Sequence, residues 1–124
     1  MNLELITDPE MAPRPREEIQ ITEFMVTPYP EGHRVRVEIA ITPFAPMDRP
    51  NLEVVAHDAK GSNVGGFNVI EAAHHRLVLT MHLRESDPRG EYVFLASLYY
   101  DDPERAQHTV SETLILPNGI PRAG

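Results

Sequence analysis

The chain has 124 residues, 41% hydrophobic and 24% charged, which is enough apolar content for one core of ordinary size and too little chain for two domains. A formal net charge of -8 leaves no basic field to draw a nucleic-acid backbone or an anionic lipid surface, and no apolar run reaches membrane-spanning length. Cysteine is absent, which excludes disulfides and thiolate metal sites and fits a reducing compartment, so the expected location is cytoplasmic.

Residues 1–18 are rich in proline and charge (Pro9, Pro13, Pro15, Glu10, Arg14, Arg16, Glu17, Glu18) and lack periodicity after Ile6, so they read as a flexible or docking arm. From Ile19 onward, short alternating runs punctuated by turn residues predict seven strands, and no window carries a helical stripe. The first is expected near 19–27, stopped by Pro28-Tyr29-Pro30-Glu31-Gly32. The second, near 34–42, alternates most cleanly, with Val35, Val37, Ile39 and Ile41 on one side and Arg34, Arg36 and Glu38 on the other. Prolines between Pro43 and Pro50 then break the ladder. The third strand is placed at 52–57, and Asp58 to Asn63 turns into a fourth at 64–70, weakened by Gly65-Gly66 as a bulged edge would be. A fifth at 76–83 points Leu77, Leu79, Met81 and Leu83 inward and Val78, Thr80 and His82 outward. The sixth spans 92–100 and the seventh 109–116, where Pro117-Asn118-Gly119 ends it and leaves 118–124 as a tail.

This order of strands, with a crossing between the fifth and sixth, resembles the fibronectin type III branch of the immunoglobulin-like sandwiches over roughly residues 19–117. The resemblance implies an all-β, seven-stranded immunoglobulin-like antiparallel β-sandwich, with strands one, two and five in one sheet and three, four, six and seven in the other. It also implies that Tyr92, after the turn Pro88-Arg89-Gly90, sits at the corner and bonds back to backbone. Without tryptophan or cysteine, the chain is no close relative of antibody domains, and the resemblance carries no function.

The sixth strand is apolar on both faces, with Tyr92, Phe94, Ala96 and Leu98 on one and Val93, Leu95 and Tyr99 on the other. A strand wet on one side alternates, so a cover is expected over the second face. Pairing adds Val55 and Ile115, making Val55, Val93, Leu95 and Ile115 a contiguous patch on the outside of the larger sheet. Its cover would be the arm, through Leu3, Leu5 and Ile6, or another protein surface. A second constellation follows from topology: loops two-to-three, four-to-five and six-to-seven gather Asp48, Glu71, His74, His75, Asp101, Asp102 and Glu104 at one pole. Carboxylates and imidazoles could bind a divalent ion there, yet the spacing fits no known ligand pattern and adjacent histidines face opposite ways in extended backbone. No metal ligand or cofactor-binding residue is therefore assigned.

Gly61-Ser62-Asn63-Val64-Gly65-Gly66 lacks the lysine and hydroxyl of a phosphate loop, and Ser97 and Ser111 have no triad partners at suitable positions. The expected function is a noncatalytic module that binds a protein partner or forms a homodimer through the larger sheet. Two alternatives remain open: a protease inhibitor of immunoglobulin-like fold presenting loops, and a metal-dependent carbohydrate or ligand binder at the acidic pole.

Overall fold

A computed structural model describes residues 12–85, 87–117 and 120–121. Eight strands run in chain order: β1 (Ile21–Pro28), β2 (Arg34–Ile41), β3 (Asn51–His57), β4 (Asn63–Val69), β5 (Arg76–His82), β6 (Gly90–Tyr99), β7 (His108–Leu116) and β8 (Ile120–Pro121). They form two antiparallel sheets, one ordered β1-β2-β5 and the other β4-β3-β6-β7-β8. The protein is thus an all-β immunoglobulin-like sandwich, and its seven main strands distribute between the sheets as the resemblance implies. The difference is β8: the chain does not simply end its ladder at Pro117, because Ile120 returns to pair with Ile115.

Alternation decides which side chains fill the interior. Along β2, Val35, Val37, Ile39 and Ile41 are buried, and along β6 so are Tyr92, Phe94, Ala96 and Leu98. They meet Leu52, Val54 and Ala56 of β3, Met81 of β5 and Leu114 and Leu116 of β7 in one continuous core. Each large aliphatic or aromatic side chain removed from water in this way contributes roughly 1.5–3 kcal/mol, which must stand in for the missing disulfide and tryptophan.

Both open sides of the sandwich are tied. On one, a β-carbon at Gly65 would lie 3.0 Å from the His82 carbonyl oxygen and 3.1 Å from the Met81 sulfur, so only glycine lets β4 lean this closely on β5. The Arg84 amide then donates to the Val64 carbonyl at 2.7 Å. On the other, the Ile21 amide donates to His108 Nδ1 at 3.0 Å, joining the start of β1 to the start of β7.

At the crossing between β5 and β6, Tyr92 is buried and its hydroxyl accepts from the Arg89 amide (3.0 Å) while donating to Glu85 Oε1 (2.6 Å). Burial, reinforced by the bond to Glu85, pushes its phenol up to about 12.

Of the arm, residues 1–11 lie outside the described residues, and with them Leu3, Leu5 and Ile6. Residues 12–18 rest on the loop pole. The Arg14 amide donates to the Pro43 carbonyl (2.9 Å), and a 3-10 turn, Arg16–Glu18, follows. The Arg16 guanidinium stacks on the Tyr100 ring at 4.4 Å and pairs with Asp48 at 3.2 Å.

Candidate interaction surface

The outer face of the larger sheet follows from the register of its strands. Val55 stands directly opposite Leu95, His57 opposite Val93, and Glu53 opposite Ser97. Across β6 and β7, Val93 meets Thr113, Leu95 meets Ser111, Ser97 meets Thr109 and Glu91 meets Ile115. The structure therefore brings Val55, Leu95 and Val93 together as one half-buried aliphatic stripe, with Ile115 diagonal to Val93 and 42% exposed. Tyr99, expected on the same side, is buried at the end of β6, where the 3-10 turn Pro103–Arg105 folds back.

What surrounds the stripe is polar with few charges. Ser97, Thr109, Ser111 and Thr113 line β6 and β7, Gly66 and Asn68 line β4, and the strands place only Glu53 and Glu91 among the acids on this face. Beside Val55, the missing side chain at Gly66 leaves an open groove of about 290 Å³ bordered by Glu53, Phe67, Asn68 and Arg84.

The opposite exterior, that of the smaller sheet, has a different character. Arg34, Arg36, Glu38, Glu23 and Arg76 crowd it, and the Arg76–Glu23 pair (2.9 Å) reaches across Ala40, burying that outward alanine. Met25 (51% exposed) and Val78 (58%) flank Glu38 in the same cross-strand row. Val78 is outward as read from the alternation; Met25 escapes it. A bulge between Ile21 and Glu23 reverses the parity of β1. The sequence does carry that signal, because inward Ile19 and Ile21 are followed by inward Phe24 and Val26.

At the pole, the acidic and imidazole side chains do not converge: among the described residues, no three of His, Asp or Glu lie close enough to hold an ion. Several are committed elsewhere. Asp48 pairs with Arg16, and Asp102 accepts from the Glu104 amide at 2.9 Å. The residues that organise this end are ones the sequence did not single out. Asn51 donates to the Tyr100 carbonyl (2.8 Å) and accepts from the Glu71 amide (2.7 Å), and the Tyr100 hydroxyl donates to the Asp48 carbonyl (2.8 Å). Glu71 is held there at a φ of 50°, a left-handed conformation unusual for a non-glycine residue. Burial raises the Tyr100 phenol, against the pull of Arg16. Met47 (90% exposed) and Ile70 (66%) project from the same end.

No protein-family model matches the sequence, and no curated protein is significantly similar to it. Solved structures do resemble the fold. The FMN-binding β-glucuronidase from Facaelibacterium prausnitzii L2-6 superposes with a TM-score of 0.51 at 14% identity, covering 78% of this chain and 14% of that one. The Lactobacillus rhamnosus β-glucuronidase gives 0.50 at 15% identity, over 79% of this chain and 16% of the other. The chain thus corresponds to a small part of those enzymes, and at such identity the likeness speaks for the fold alone. Among the described residues, no helix is long and apolar enough to cross a membrane.

Proposed function

We propose that this chain is a noncatalytic interaction module of the fibronectin type III branch, and that the outer face of its larger sheet meets another protein surface. The observation that carries this reading is the stripe Val55, Leu95 and Val93, set in a field of hydroxyl side chains on a face with few charges. Depletion of charge around an apolar centre is the compositional mark of association surfaces, and the smaller sheet's ion-paired exterior supplies the contrast within the same molecule. The absence of cysteine accords with action in the cytoplasm.

The test is association measured by light scattering after size exclusion, with the wild type beside Leu95→Asp. A carboxylate at this position would be buried unpaired in any interface formed there, so association through the face should weaken by at least about 2 kcal/mol. A complex with a second protein, or self-association not owed to a strand edge, that tolerates Leu95→Asp unchanged would remove the face from consideration.

A further inference from the structure

A sheet edge presents unpaired amides and carbonyls, and stable proteins blunt such edges with charge, proline, brevity or a cover. The two sheets leave β1, β5, β4 and β8 at their margins. Three are blunted. β1 carries Glu23, ends at Pro28 and is fastened at Ile21 to His108. β5 carries exposed Arg76 and His82. β8 is two residues long and includes Pro121. β4 differs, since Asn63-Val64-Gly65-Gly66-Phe67-Asn68-Val69 holds neither charge nor proline. Arg84 covers the Val64 carbonyl and Asn63 Oδ1 accepts from the Gly65 amide, but among the described residues Gly66 to Val69 have no backbone partner other than β3.

We propose that β4 pairs antiparallel with β4 of a second copy, forming a two-fold homodimer with one sheet continuous across both molecules. Charge favours a second copy as the occupant. Two molecules of net charge -8 repel over most approaches, whereas the neutral strands bring no like charges face to face. Centring the pair on Phe67 sets Gly66 opposite Asn68 of the second copy. The amide side chain then enters the groove beside Val55 that Gly66 leaves open, and the partly buried Phe67 rings meet at the seam. Antiparallel pairing within one sheet needs a two-fold axis perpendicular to it, so both outer faces end on the same side. The aliphatic stripes of the two copies then form one wider surface.

The proposal is separate from the reading of the face, and two variants tell them apart. Asn68 is exposed and stands opposite Glu53, so in Asn68→Lys the new cation has a partner within its own chain while like charges approach across the edge. Light scattering should give twice the chain mass for the wild type. Asn68→Lys should weaken the dimer at least about tenfold, with an unchanged urea midpoint at a protein concentration where both chains are monomeric, and Leu95→Asp should leave the dimer intact. Hydrogen exchange on the wild type is the independent measurement: amides 66–69 should become more protected as concentration rises. A wild-type monomer at about 1 mM, a dimer lost in Leu95→Asp but kept in Asn68→Lys, or exchange at 66–69 that ignores concentration would each overturn the pairing.

Discussion

Tyr92 shows how much a single side chain can govern at the crossing between sheets. Its hydroxyl both accepts from the Arg89 amide and donates to Glu85, so the turn before β6 is fixed from inside the core. Tyr92→Phe keeps the ring and loses both bonds; unfolding in urea should show a loss of about 1.5–3 kcal/mol, the range for a bond involving a charged group. The same residue sets an alkaline limit. The fold favours the neutral phenol, which ionises near 10 when unfolded and at about 12 in place, so its contribution is complete below pH 10 and disappears as the pH rises toward 12. Stability followed across that window should fall by up to about 1.4 kcal/mol per pH unit from this group, and the fall should be smaller in Tyr92→Phe. Tyr100, raised in the same direction, adds to the fall.

Among the elements, β2 was the most legible from sequence because its apolar and charged residues alternate, and β6 because a long β-rich run follows the turn Pro88-Arg89-Gly90. The place of Val55 on the face of Leu95 followed from alternation together with the sheet assignment that the resemblance implied, whereas the register that sets the two opposite one another did not. Legibility failed where the period is interrupted or the element is too short to have one. The bulge in β1 turned Met25 outward, and β8, with two residues, offers no pattern at all. The polar network at the pole was hidden for another reason: Asn51, Tyr100 and Gln107 act through backbone groups distant in sequence, as when Gln107 donates to the Arg16 and Ile19 carbonyls. Gly65 belongs at this scale too, since it governs how β4 meets β5. Gly65→Ala would force a shift of the His82 backbone, and its thermal midpoint should report a loss of about 1–3 kcal/mol, typical of overpacking.

For the whole molecule, 19 acids against 11 bases produce a self-repelling field that the surface ion pairs offset only weakly, being exposed. Screening should therefore stabilise the fold: the urea midpoint should rise between about 10 mM and 300 mM salt, over which the Debye length shrinks severalfold. A midpoint that falls instead would mean that pairs such as Arg76–Glu23 matter more than the net field.

The chain has no tryptophan and four tyrosines, and one of these, Tyr92, is enclosed in the core with its oxygen tied to a carboxylate. Near-ultraviolet absorbance and emission of the native protein consequently come chiefly from phenol rings, and the ring at the corner changes surroundings only when the two layers separate. The molecule carries its own optical gauge of unfolding, readable without a label.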